Sequence, residues 1–162
     1  MSSLRELVDK HRANGLLIDT NLLVLCLVGR TNKRRIEVFK RTRSYTVQDY
    51  ELLEELIGHF KRLVTTPEVL TETSNLADLS GTEMTVLRSF FRNYVETADE
   101  TSHSAKLVVT DSAFGRLGFA DAAVALASES PMLVLTDDLE LSVALTQRGV
   151  DTINFNHLRN LD

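Results

Sequence analysis

The sequence predicts an α/β fold, a parallel sheet of about four to five short strands with helices on both faces. Three observations carry this expectation. Short, largely apolar runs without strict alternation recur at Leu16–Ile18, Leu63–Thr65 and residues 132–135 and 152–155, as in strands buried on both sides. Longer stretches with helical apolar spacing lie between them. Punctuation is sparse: two prolines and seven glycines in 162 residues, with no repeat, low-complexity tract or linker, so a single domain is expected over residues 1–162.

In chain order, residues 3–12 suit a short helix, and Gly15 leads into the first strand, Leu16–Ile18. Residues 22–28 are apolar throughout and predict a buried helix. A basic stretch follows, partly loop and partly helix. Thr46 opens a stronger helix, with Asp49 three residues on as a capping-box partner. Val47, Tyr50, Leu53, Leu56, Ile57 and Phe60 give that helix an apolar stripe. After the second strand, Thr66 and Pro67 supply a helix cap and a first helical residue. Met84, Leu87, Phe91 and Tyr94 mark another amphipathic helix, whereas residues 97–117 carry no readable pattern. Phe119–Ala127 reads as a nearly all-apolar helix. The strand at 132–135 precedes Thr136, the expected cap of a helix running to about Arg148, and residues 152–155 form the last strand.

Composition narrows the class further. At 43% hydrophobic and 25% charged, the chain resembles an ordinary globular domain. Its single cysteine, Cys26, excludes an internal disulfide and a CxxC zinc site, and in its apolar run it reads as core. The four histidines, at positions 11, 59, 103 and 157, lack ligand-like spacing. No secretory signal is apparent, and the apolar stretch at 15–28 is too short for a bilayer and interrupted by Asp19 and Asn21. No membrane association and a cytoplasmic location are therefore expected. Net charge is −5 but uneven: seven cations between Arg30 and Arg43 face only Glu37, so that segment is +6 and the remainder −11. Such a patch suits either a solvated face or an approach for nucleic acid.

Four acids stand out against this layout. Asp19 follows the first strand directly, and Asp138 lies where the third predicted strand gives way to a helix. Both fall at carboxyl ends of strands, where α/β sheets form their sites. A bland alternative exists for each, since an acid in the first turn of a helix gains about 0.3–1 kcal/mol from the macrodipole. Asp121 is the only charged residue between Arg116 and Glu129, on a helix apolar nearly all round. A buried carboxylate requires a partner; the helix start could be one. Glu72 sits at the boundary of the inward face of its helix, with Glu68 and Asn75 further toward solvent. Converging carboxylates repel: one pair about 5 Å apart at an effective dielectric near 20 costs roughly 3 kcal/mol. Hard oxygen donors of this kind suit Mg²⁺ or Mn²⁺.

The motifs around these acids resemble those of the PIN-domain ribonuclease family. Leu-Leu-Ile-Asp-Thr-Asn, ending at Asn21, resembles the opening of a PIN domain, and Thr-Pro-Glu-Val-Leu-Thr-Glu, ending at Glu72, is similar to its second motif. Gly-Phe-Ala-Asp-Ala, with Asp121 as the acid, resembles the third. Thr-Asp-Asp-Leu-Glu from Thr136 resembles the fourth, a threonine, a variable residue and an aspartate, a register that selects Asp138 over Asp137. The matches run in family order over nearly the whole chain; residues 30–43 and 97–117 match no pattern. The resemblance implies hydrolysis of RNA phosphodiesters by metal-activated water, leaving a 5′-phosphate. It implies catalytic roles for Asp19, Glu72, Asp121 and Asp138, with Asp19, Asp121 and Asp138 as the main Mg²⁺ or Mn²⁺ ligands. Asn21 and Thr136 would position carboxylates. Apart from the resemblance, the reversal of charge at residues 30–43 makes Arg34, Arg35, Arg41 and Arg43 the expected RNA-docking residues, since the remaining chain at −11 repels RNA. Toxins held by an antitoxin are common among small bacterial members, as are homodimers, so either partner is an expectation of the resemblance.

Three rival readings compete. A haloacid-dehalogenase-like phosphatase needs a second aspartate where Asn21 stands. A phosphoacceptor receiver domain needs paired acids and a late lysine, but Lys106 is the only lysine beyond residue 62. A non-catalytic PIN scaffold for RNA or protein binding has no need of all four acids.

Overall fold

The first strand sets the plan of the molecule. In the computed structural model, which describes residues 2–159, β1 (Leu16–Ile18) lies between β2 (Leu63–Thr65) and β4 (Leu133–Thr136). β3 (Asp99–Glu100) and β5 (Thr152–Asn154) complete one sheet, in the order β3-β2-β1-β4-β5 with every pairing parallel. Leu16, Leu17 and Ile18 are fully buried, as expected for a central strand covered on both faces.

Ten α-helices flank the sheet among the described residues: α1 (Leu4–His11), α2 (Thr20–Thr31), α3 (Val47–Ile57), α4 (Pro67–Leu76), α5 (Gly81–Thr97), α6 (Ala105–Val108), α7 (Phe114–Leu117), α8 (Phe119–Ala127), α9 (Leu139–Gln147) and α10 (Phe155–Arg159). The α/β class and the parallel sheet are those the apolar runs predict. α2 is buried continuously from Leu22 to Gly29, including Cys26. Each fully buried leucine there contributes about 1.5–3 kcal/mol relative to exposure, so packing rather than propensity holds the helix. Gly29 is required by α3, because a Cβ there would overlap the Tyr50 ring. The capping box of α3 is complete: Asp49 N–H donates to Thr46 Oγ1 at 3.1 Å, and Thr46 N–H donates to Asp49 Oδ2 at 2.8 Å. Thr66 caps α4, with Pro67 as its first residue.

The structure corrects several local expectations. Thr136 does not cap α9; it ends β4, and Asp138 is the cap, accepting from Leu141 N–H at 3.1 Å. The third predicted strand therefore runs one residue later than 132–135. Phe155 starts α10 instead of ending β5. The patternless stretch at 97–117 holds β3, α6 and α7. β3 consists of two exposed acids, so no apolar signal could announce it; its strand character comes from pairing with β2. The basic segment is part helix and part loop, as expected: Arg30 and Thr31 end α2, a 3₁₀ turn follows at Lys33–Arg35, and turns make up the rest. No helix among the described residues is long and apolar enough to cross a membrane.

Strand order reverses between β1 and β4. The chain runs outward from β1 through β2 to β3, then returns to β4 on the other side of β1. A crevice forms outside the carboxyl ends of strands at such a reversal.

Candidate active site

That crevice is a cleft of about 800 Å³, lined by Asp19, Glu68, Glu72, Asp121 and Asp138 but by no lysine, arginine or histidine. The four acids singled out in the sequence therefore share one cleft. Each reaches it differently. Asp19 leaves β1 and caps α2, its Oδ1 accepting from Thr20 N–H at 2.8 Å. Its Oδ2 accepts from Thr136 Oγ1 at 2.6 Å. Asp138 leaves β4 and caps α9. Thr136 Oγ1 also accepts from Asp138 N–H at 3.0 Å, so one hydroxyl joins the ends of β1 and β4. Thr136 thus contacts both Asp19 and Asp138.

Glu72 is exposed on α4 and accepts from Thr20 Oγ1 at 3.3 Å. Asp121 enters from α8, whose start is set by Gly118 at a φ of +93°, a left-handed conformation that favours glycine. The half-buried Asp121 carboxylate has no hydrogen-bond or ion-pair partner among the described residues, and α8 has no side-chain cap. The helix start therefore does not satisfy this acid.

The electrostatic consequence is large. Burial raises Asp121 to about 7, with Asp19, Asp138 and Glu72 adding like-charge repulsion. Burial also raises Asp19 to about 6, against the lowering effect of the Thr136 and Thr20 hydrogen bonds. Asp137 and Asp138 add to the rise. Two aspartates held above their ordinary range in one cleft mark a place where negative charge lacks a counter-charge. Among the described residues, no three His, Cys, Asp or Glu side chains already stand as a metal-ligating group. The hydrogen bonds explain part of this spacing. Asp19 and Asp138 direct oxygens toward helix termini, Glu72 leans on Thr20, and nothing offsets their mutual repulsion. The donors still fit a hard divalent cation, being carboxylates around an unpartnered Asp121.

Asn21 departs from expectation. Its amide donates to both carboxylate oxygens of Asp137, each at 3.3 Å, instead of holding one of the four acids. The Tyr45 hydroxyl also donates to Asp137, and Asn156 Nδ2 donates to its backbone carbonyl at 3.0 Å. Arg159 stacks over the Tyr45 ring at 4.5 Å and donates to Ser44 O and Asp49 Oδ2 at 2.6 and 2.7 Å. Asp137 is thus committed to tying the end of the basic segment to the cleft, which leaves Asp138 as the acid facing it.

The basic segment is less free than its composition indicates. Arg30, Lys33 and Arg35 pair with Glu54, Glu51 and Glu83 at 3.0, 3.1 and 2.8 Å. Arg34, Lys40, Arg41 and Arg43 are exposed and make no ion pair among the described residues. Arg35 therefore leaves the set of free docking cations, because Glu83 neutralises it.

Sequence reasoning also missed Glu68, Thr20 and Tyr45. Glu68 and Asn75, expected further toward solvent, both line the cleft. Thr20 was legible in principle, since it follows Asp19 at the first position of α2. Tyr45 meets Asp137 across 92 residues of sequence, a contact with no local signal. Neither a protein-family model nor a curated protein matches the chain, so the functional reading rests on the four motifs and the cleft their acids line.

Proposed function

We propose that this chain is a PIN-like, divalent-metal-dependent endoribonuclease that hydrolyses RNA phosphodiester bonds. The observation that carries the proposal is Asp121, half-buried, without a hydrogen-bond or ion-pair partner among the described residues, and sharing with three further carboxylates a cleft whose described lining has no lysine, arginine or histidine. Acids retained for folding have partners, because an unpaired buried carboxylate is costly. The arrangement suits Mg²⁺ or Mn²⁺ held by Asp19, Asp121 and Asp138, with Glu72 at the mouth. A bound divalent ion would supply there a lowered water pKa and a counter-charge for the attacked phosphate.

The chain's own groups have separable tasks. Asp19 is oriented by Thr20 N–H and Thr136 Oγ1, which fixes the direction in which its carboxylate can act. Asp138 is held by the start of α9. Glu72 is exposed and bonded only through Thr20 among the described residues, and suits proton acceptance or orientation of water. Arg34, Lys40, Arg41 and Arg43 suit contact with the phosphates of a strand approaching a cleft that itself repels it. An inhibitor protein that covers this basic segment, as an antitoxin would, is the partner class the reading implies.

The non-catalytic scaffold draws support from Asp19 and Asp138, since each caps a helix. Asp121 weighs against it, having no such structural duty. The deciding experiment is cleavage of a labelled RNA with Mg²⁺ or Mn²⁺, EDTA as control, and Asp19→Asn beside the unaltered chain. Metal-dependent cleavage that falls on the order of 10³-fold in the variant is expected. Equal turnover by both proteins, or turnover in EDTA, would sink the assignment.

A further inference from the structure

The cleft poses a recognition problem for the proposed substrate. Its lining acids repel phosphate, and exposed cations without an ion pair among the described residues lie outside the lining, in the basic segment and also at Arg116 on α7. No side chain of the lining offers a nucleotide positive charge, so contact with its base has to come from uncharged groups. Phe119 is the one aromatic side chain in its lining, and it is 38% exposed although phenylalanine is ordinarily buried. It is the first residue of α8, set at the rim by the Gly118 turn, two positions before Asp121. The next four residues after Asp121 are buried, so α8 is anchored behind the ring.

We infer that Phe119 is a stacking platform for an unpaired base of the nucleic-acid strand whose backbone enters the acidic cleft. The inference rests on the nuclease reading above and names the residue that restricts the cleft to single-stranded substrate. Every base has a π-face, so such a platform tolerates sequence but requires a base out of its pair. A ring beside the acids also supplies affinity that does not depend on salt, complementing charge-dependent contacts made by the basic segment.

The test uses the whole chain in Mg²⁺, a short phosphorothioate oligoribonucleotide containing one 2-aminopurine, and the same strand annealed to its complement. Phe119→Ala should weaken single-strand binding about 5- to 100-fold, the effect of losing one aromatic–base stack. Duplex binding should be unchanged. Phe119→Tyr and Phe119→Trp should retain affinity and the quenching of 2-aminopurine; Phe119→Leu, apolar but without a ring, should lose both. Phe119→Leu also guards against any folding defect in the alanine variant, with a thermal melt on each protein. Unchanged affinity in Phe119→Ala, full function in Phe119→Leu, or equal weakening of single strand and duplex would each overturn the inference. Failure of the nuclease reading looks different: Phe119-dependent binding would persist without cleavage. Failure of the platform alone would leave cleavage intact, with KM unmoved in Phe119→Ala.

Discussion

At the amino edge of the sheet, Asp151 accepts from Lys10 Nζ and His11 Nε2, both at 2.7 Å, and these partners hold its carboxyl below the ordinary aspartate range. Nearby, Arg148 Nη1 donates to Asp111 at 3.0 Å, and Asp111 is likewise lowered. At the carboxyl edge, Asp19 and Asp121 are raised and have no cationic partner in the cleft they line. The same residue type on one sheet thus occupies opposite electrostatic states. Acids that join elements are paired within the chain, whereas the cleft acids lack the positive charge that would pair them. The contrast shows where an external cation would gain most.

The largest test of this contrast sets Asp121→Asn against Asp151→Asn. A cation at 100 times its dissociation constant stabilises the fold by about 2.7 kcal/mol. At about 2–4 °C per kcal/mol for a chain of this size, Mn²⁺ should raise the melting temperature by several degrees over EDTA. Asp121→Asn should shrink that rise and increase metal-free stability by removing an unpaired charge. Asp151→Asn should lower stability with and without metal, leaving the increment intact. Calorimetry on the three proteins checks this, and an equal increment in all of them would break the comparison.

The Thr136 hydroxyl sharpens it at a single atom. Thr136→Val keeps the shape of β4 but removes the donor to Asp19 and the acceptor for Asp138 N–H. Loss of a group orienting a metal ligand typically costs 10- to 100-fold in affinity or rate. Mn²⁺ titration should show that loss, with folding weakened by only about 1 kcal/mol. A titration identical to that of the unaltered chain would remove Thr136 from the site.

The two edges should also answer pH in opposite directions. Asp121 has a folded value of about 7, against an unfolded value of about 3.9. The folded state then binds more protons between these values, so in EDTA this group lowers stability as pH rises from about 4 to 7. Asp19 acts in the same sense up to about 6. Asp151 is lowered, so its contribution is present above the unfolded value and is lost as pH falls through the folded one. Urea titrations across pH should find Asp121→Asn flattening the neutral limb and Asp151→Asn the acid limb. A neutral limb unaffected by Asp121→Asn would deny that acid its repulsive surroundings.

The smallest expected effect concerns the basic segment. Replacing Arg34, Arg41 and Arg43 with alanine should flatten the salt dependence of single-strand RNA binding by roughly 0.7 in slope per phosphate contact removed. Arg35→Ala should change it less, because Glu83 already neutralises that cation. A slope that moves for Arg35 but not for the other three would reverse the assignment.

Much of this molecule was determined locally. The apolar runs of β1, β2 and β4, the complete capping box at Thr46 and Asp49, and the Thr66-Pro67 start of α4 are set by neighbours a few residues apart. So is the placement of Asp19 and Asp138 after strands. Such signals need no tertiary contact, since apolar runs, caps and helical spacing act over one turn or one strand. The tertiary structure decided the rest. β3 exists because Val64 and Thr65 pair with two acids that have no strand signal of their own. Asp138, not Thr136, caps α9 because pairing with β5 carries β4 on through Thr136, opposite Asn154, so the helix starts only at Leu139. Arg35 is neutralised by Glu83 across 48 positions, while Arg41 and Arg43 make no ion pair among the described residues. Phe119 lies on a helix the sequence marks as buried, yet faces solvent because α8 begins at the cleft. Charge pairing and exposure depend on which segments the parallel crossovers bring together, and a one-dimensional pattern does not encode that geometry.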